Sequence, residues 1–344
     1  MENNNTKLPF FKRLWNHLKK FHVFMTLFIA VPVLVSLFRY LFDVEYIYNN
    51  LYFEGERIHV WHEHFAVTSI EKKIKVLDTT PYHNYQGGTC YKNYYLLCSN
   101  NFDTILIYNI EEFKLESVIY TGQTNPEYHC NTCFFGSDFY SASDEFPILY
   151  ISMENESVRS TIGYRIAYDG GYKIEQITQL YFPHSENEKI YFPNSYLDYE
   201  TNTLYYGGYT EKSYMQSDTN KLKYFAFPMP DYRIQEVELD MKEAVDTFVL
   251  PSQTATQGGF ITDGFLYETF SFHEKNNPLK TPKMRVVDLR EHQIIKEYDN
   301  LGETFGVYDE FENIAIANNG TLVAHGNIGF NLYQFHYTDG ETSK

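Results

Sequence analysis

"TATQGGFITDGFLYETFSF", residues 254–272, and "HNYQGGTCYKNYYLLCSNN", residues 83–101, share one outline. Each opens on Gln-Gly-Gly, runs through a short apolar stretch, turns at a polar pair and resumes as an aromatic strand. A residue pair without side chains, placed just where a strand begins, marks a point of close backbone approach. Writing that pattern twice points to a fold that repeats its parts.

The rest of the chain after residue 50 supports this. It shows no sustained 3.6-residue apolar period. Short runs rich in Tyr, Phe, Ile, Val and Leu recur instead, such as "TILIYNI", "PILYISM", "TLYYGGY", "MRVVDL" and "FNLYQFHY", set apart by Asn, Gly, Asp and Lys pairs. The 32 Tyr and 28 Phe of this 344-residue chain suit half-buried strands. Many short strands with regular turn signals mean a sandwich, a barrel or a propeller, and internal similarity favours the last. Five segments line up on a polar opener: Gln86, His129 ("HCNTCFFGSDFYSAS"), Asn194 ("NSYLDYETNTLYYGG"), Gln257 and Glu312 ("ENIAIANNGTLVAHG"). Most continue into two further strands, which makes the four-stranded antiparallel blade of a β-propeller. Uneven spacing between openers leaves five blades or six. The stretch 56–78 is expected either to pair with the C-terminal "GFNLYQFHY" and close the ring or to supply most of a sixth blade.

Charge divides the chain. Residues 1–43 carry six cations (Lys7, Lys12, Arg13, Lys19, Lys20, Arg39) and two acids, whereas 44–344 carry 22 basic and 43 acidic residues. So acidic a surface repels nucleic-acid phosphates and excludes a DNA- or RNA-binding role. The first of these two segments contains "FHVFMTLFIAVPVLVSLFRYLF", residues 21–42, long enough to cross a hydrocarbon core. Cations before it and acids after it place the N-terminus in the cytoplasm by the positive-inside rule. No small-x-small cleavage site follows, so the expectation is an uncleaved signal anchor rather than a removed signal peptide. The chain then reads as a basic cytoplasmic tail (1–20), a single N-terminal transmembrane helix (21–43) and an all-β extracytoplasmic propeller of five to six blades (44–344).

Two of the quoted motifs also carry a resemblance. "YQGGTCYKNYYLLCSNNFDTILIYNIEEFKLESVIY" and "TQGGFITDGFLYETFSF" resemble blade motifs of uncharacterised extracytoplasmic β-propeller proteins of Bacteroidota, and more distantly those of plant-type glutamine cyclotransferases. "HCNTCFFGSDFYSASDEFPILYIS" is similar to a second-blade signature of the former group. The cyclotransferase pattern sets a Gln-Gly opening before a strand ending Tyr/Phe-Glu-Ser-Thr-Gly, with the Glu as general acid/base. The resemblance maps that role to Glu268, although Thr269 here is followed by Phe270 and Ser271 rather than Thr-Gly.

Other residues could carry chemistry of their own. Cys90 and Cys133 each lie four residues after an opener, so they are the first pairing to test for a disulfide. Free, buried core thiols are nevertheless the state expected first for all four cysteines, because a core this large does not need the bonds. Asp309 and Glu312 form an acidic group that could hold Ca²⁺ through oxygen ligands, and Glu312 resembles the Glu opening inner strands of lactonase-like propellers. The five openers are the candidate ligand-binding residues. The function expected first is a membrane-anchored ligand-binding or scaffold module for an extracytoplasmic peptide, glycan or protein. A glutaminyl-peptide cyclotransferase-like enzyme and a Ca-assisted lactonase or hydrolase stand as alternatives.

Overall fold

A computed structural model describes residues 59–60, 65–76, 85–123, 128–154, 158–182, 189–270, 283–298, 309–317, 321–327 and 330–339. All belong to the compact unit Phe53–Lys344. The expected tail and anchor helix lie outside the described residues. Among those described, no helix is long and apolar enough to cross a membrane.

The described residues form five sheets, so the structure has five blades. Two strands come first in the chain, β1 (His59–Val60) and β2 (Phe65–Lys75). Blade 1 is β3 (Tyr85–Tyr91), β4 (Tyr94–Ser99), β5 (Thr104–Asn109) and β6 (Lys114–Tyr120). Blade 2 is β7 (Cys130–Phe135), β8 (Leu149–Met153), β9 (Ser160–Tyr168) and β10 (Tyr172–Tyr181). Blade 3 is β11 (Tyr191–Asp198), β12 (Thr203–Tyr209), β13 (Lys221–Pro228) and, after an excursion, β15 (Asp246–Pro251). That excursion contributes β14 (Glu236–Glu238), which adds in parallel to the outer edge of β10. Blade 4 is β16 (Thr256–Thr262), β17 (Phe265–Phe270), β18 (Lys283–Asp288) and β19 (Gln293–Tyr298). Blade 5 is β20 (Phe311–Ile316), β21 (Leu322–Gly326) and β22 (Asn331–Asp339), completed by β2 and β1.

β2 runs antiparallel to β22, with Phe65 opposite Asp339 and Lys75 opposite Asn331. The N-terminal stretch therefore closes the ring instead of building a sixth blade. Five buried apolar clusters fill the seams between blades 1 and 2, 2 and 3, 3 and 4, 4 and 5, and 5 and 1. The last of these packs Tyr85, Leu97 and Leu106 against Ala315, Val323 and Leu332, so both ends of the chain share a core.

Burial pattern follows distance from the axis. The inner strand β7 is buried at every position, whereas the outer strands β6 and β19 expose alternate or most residues. An inner strand is pressed between two neighbouring blades and faces the axis, so it has no solvent side and favours small residues. The two Gly-Gly pairs show how the space is divided. A Cβ on Gly87 would stand 3.0 Å from the Cys130 carbonyl of the next blade, and one on Gly258 would stand 2.8 Å from that of Glu312, again in the next blade. A Cβ on Gly88 or Gly259 would instead strike Tyr95 or Tyr267 in the second strand of its own blade.

Candidate functional site

Every inner strand is bulged near its start. The pairing slips between Tyr85 and Gly88, Cys130 and Thr132, Tyr191 and Asn194, Thr256 and Gly259, and Phe311 and Asn313. A bulge bends a strand and re-aims a side chain, and here each of the five inner strands carries one near its start. Gln86, Gln257 and Glu312 lie inside their bulges, Asn194 at the first pair beyond its bulge, and His129 one residue before β7. Sequence alignment on the first polar residue therefore set five openers side by side that differ by up to three positions in register. The residue inside the second bulge is Asn131, which sequence reasoning passed over.

Asn131 reaches across the axis. Its Nδ2 donates to Asn194 Oδ1 of blade 3 at 3.1 Å and to the Thr256 carbonyl of blade 4 at 3.0 Å. Asn194 Nδ2 donates in turn to the Gln257 carbonyl at 3.4 Å. Glu312 is buried, and its Oε1 accepts from Asn327 Nδ2 at 2.9 Å. Burial first, then the charges of Glu310, Asp309 and Glu154, hold its carboxyl well above the usual range against that hydrogen bond. His129 is 38 % exposed, with Nδ1 2.8 Å from Glu154 Oε2. Burial works against the charged ring, but the charge and hydrogen bond of Glu154 outweigh it and raise the pKa. Glu154 follows β8, 25 positions from its partner, and no motif announces it.

Asp309, expected beside Glu312 as a metal ligand, is turned to the fifth blade. Its Oδ2 accepts from Tyr333 Oη at 2.7 Å and from Asn331 Nδ2 at 3.4 Å. Among the described residues no three His, Cys, Asp or Glu side chains gather as a metal-ligand group.

Glu268 is buried in the seam between blades 3 and 4. Tyr196 Oη and Tyr224 Oη donate to its Oε1, both at 2.9 Å, and Tyr224 also reaches Oε2 at 2.8 Å. Arg285, directly opposite on β18, donates Nη2 to Oε2 at 2.9 Å and to Tyr224 Oη at 2.7 Å, and Nη1 to the Pro251 carbonyl at 2.8 Å. Both side chains of the ion pair are 1 % exposed. Burial alone would lower the Arg285 pKa, but Tyr224 and Glu268 more than reverse this. The phenols of Tyr196 and Tyr224 are pushed up, foremost by burial. This is a charged clamp between two blades.

All four cysteines are unbonded thiols, and Cys90 and Cys133, the first pairing to test, carry no disulfide. Burial pushes the thiols of Cys90, Cys130 and Cys133 up. Such thiols are poor nucleophiles.

At the opposite end of the axis the inner strands finish around a cavity of about 570 Å³. Tyr91 comes from β3, Phe135 from β7, Phe260 from β16 and Ile316 from β20; Tyr199 follows β11 and Phe139 follows β7. Its lining contains hydroxyls from Thr89, Ser137 and Thr262 and no charged side chain. A smaller void of about 30 Å³ borders Gly88, Ser195, Tyr196 and Gly259, shares Thr89, Tyr199 and Ala315 with the larger one, and suits a single water. Sequence reasoning missed this bowl because its lining comes from the ends of five distant strands and is made of ordinary core residues.

No family model matches the chain, and no curated protein sequence matches it. Among solved structures it is similar to the glutaminyl cyclase of Myxococcus xanthus, at 10% identity and a TM-score of 0.44 over 78% of this chain and 96% of that one. It is also similar to a luciferin-regenerating enzyme, at 12% identity and a TM-score of 0.39 over 76% of this chain and 75% of that one. A chain of the mitotic checkpoint complex matches at 7% identity and a TM-score of 0.40, over 82% of this chain and 95% of its own length. These are likenesses of fold, and no chemistry is transferred by them.

Proposed function

We propose that this chain is a membrane-tethered, extracytoplasmic ligand-binding propeller whose bowl takes a neutral ligand with an apolar or aromatic face. The observation that carries this reading is the uncharged lining of a 570 Å³ cavity in a protein of net charge −17. A cavity of that size fits a small molecule, a disaccharide or a short peptide segment. The rings of Tyr91, Phe139, Tyr199 and Phe260 offer apolar faces, while the hydroxyls of the lining orient a polar edge. A charged ligand would lose its hydration there without gaining a partner. The tether rests on the apolar run 21–42 with its basic leading and acidic trailing flanks.

No observation favours the cyclotransferase alternative. Glu268 lines neither cavity, and its carboxylate already accepts from two phenols and a guanidinium.

Ligand-observed NMR on the full-length chain in mild detergent tests the proposal, with neutral aryl glycosides and N-acetylated aromatic amino-acid amides as probes and their carboxylates as controls. At least one neutral probe is expected to bind while its carboxylate does not. Tyr199 lines the bowl, half-exposed as a residue but with its hydroxyl buried against the Phe135 backbone. Tyr199→Ala is expected to weaken that binding about tenfold, equivalent to about 1.4 kcal/mol. Equal binding of charged and neutral forms, or no effect of Tyr199→Ala, overturns it.

A further inference from the structure

The rim of the bowl is uneven. In blades 1, 3 and 4 the first two strands are joined by residues 92–93, 199–202 and 263–264, whereas blade 2 joins β7 to β8 through residues 136–148. That long connection lines one side of the bowl with Gly136, Ser137, Phe139 and Pro147. It is pinned along its length. Gly136 N donates to the Ile148 carbonyl at 2.8 Å, Ile148 N to the Asp138 carbonyl at 3.0 Å, and Ser141 N to Asp144 Oδ2 at 3.1 Å. Arg165 of β9 grips Asp144 with two donors, Nε to Oδ2 at 2.9 Å and Nη2 to Oδ1 at 2.8 Å. Phe146 anchors the loop in the seam between blades 1 and 2.

The loop so held keeps two adjacent rings in water: Phe139 is 38 % exposed and Tyr140 46 %. A pinned loop does not turn them inward, and a rigid amphipathic ring meets a ligand at little entropic cost. The aromatic surface runs outward from the bowl. Phe139 stands 6.3 Å from Tyr91 by ring centres. Tyr140 stands 6.3 Å from Tyr232, which follows β13 and whose Oη donates to the Phe139 carbonyl at 3.4 Å. The Arg165 guanidinium lies 4.8 Å from the centre of the Tyr140 ring, and that of Arg233 lies 5.5 Å from the centre of Tyr232. Each guanidinium is paired with a carboxylate, Asp144 for Arg165 and Asp231 for Arg233, so the charges of each pair cancel.

We propose that this shelf, Tyr140 and Tyr232 with the Asp144–Arg165 and Asp231–Arg233 pairs, is a second subsite continuous with the bowl, and that the ligand is a neutral oligosaccharide running from one to the other. The proposal rests on the reading of the bowl as a ligand site and names the class of ligand. A sugar ring offers C–H faces that lie on aromatic rings. It also offers a belt of hydroxyls that donate to carboxylates and accept from guanidiniums. Paired charges of opposite sign answer such a belt and favour neither an anion nor a cation. An extended peptide is held largely through main-chain hydrogen bonds. The amides of Gly136, Ser141, Ser143, Asp144 and Ile148 are already spent within the loop. What the loop presents instead is rings and side-chain polar groups.

The test measures binding to the full-length chain, in a detergent without a sugar headgroup, of methyl glycosides one, two and three units long. Glucose, galactose, mannose, xylose and N-acetylglucosamine each supply a series. In at least one series the affinity is expected to rise about tenfold between one unit and three, the scale of one well-placed aromatic contact. Tyr140→Ala is expected to give the three-unit glycoside the affinity of the one-unit glycoside, whereas Tyr140→Phe keeps the gain. Tyr199→Ala, in the bowl, is expected to weaken all lengths alike. Affinity independent of length in every series overturns the proposal, as does a full gain in Tyr140→Ala. Binding of neutral aromatic amides but of no glycoside overturns the shelf and leaves the bowl a ligand site. Absence of binding by every neutral probe overturns both readings.

Discussion

Glu268 is a carboxylate in a position that invites catalysis and is held by architecture. It shares two phenols and a guanidinium with the neighbouring strands in a seam closed to solvent. The partner cation is 17 residues away and the phenols 44 and 72 away, so no spacing in the sequence could reveal them. Burying a matched pair contributes little net stability, but removing one partner strands the other charge in a medium that cannot solvate it. Glu268→Gln is therefore expected to cost about 3–5 kcal/mol, read as a lower melting midpoint. Adding Arg285→Met should return much of that loss, because an apolar side chain tolerates the site that a lone guanidinium does not. A single variant that melts with the wild type would show the clamp to be dispensable.

At the scale of the strand, the Gln-Gly-Gly openings report two crowding constraints that differ. The first glycine yields to the next blade and the second to the neighbouring strand of its own blade. Blades 1 and 4 meet both with glycine and so look alike in sequence. Blades 2, 3 and 5 place Asn131-Thr132, Pro193-Asn194 and Glu312-Asn313 at the corresponding bulges, and the likeness disappears. That is why the repeat was legible and its register was not: a bulge shifts residues by one or two without changing the look of the strand. A Cβ at position 259 would run into the Tyr267 carbonyl, a backbone atom that cannot turn aside, whereas one at Gly171 meets nothing within 4 Å. Gly259→Ala is expected to lower stability by about 2–3 kcal/mol and Gly171→Ala to leave it within about 0.5 kcal/mol, by urea denaturation. Similar losses at the two sites would refute crowding as the reason for the pair.

For the molecule as a whole, the decisive event is closure. β2 joins blade 5 by pairing along its length with β22, and the seam between blades 5 and 1 is built from both ends of the propeller. A chain ending at residue 330 would leave β2 without its partner and open two apolar seams to water. It is expected to lose the single cooperative melting transition of the full chain in circular dichroism. Retention of that transition would mean that the ring does not depend on its clasp. What the sequence by itself determined is what short-range chemistry can express: aromatic and β-branched runs, the turns between them, the repeat, and the division of charge around an apolar segment. Only the tertiary structure decided that there are five blades, which amides and acids meet at the axis, what holds Glu268, and that an uncharged bowl closes the far end. Each of these is a meeting of residues from different blades, and where such residues meet is set by the curvature and register of the closed ring rather than by the local pattern of any one strand.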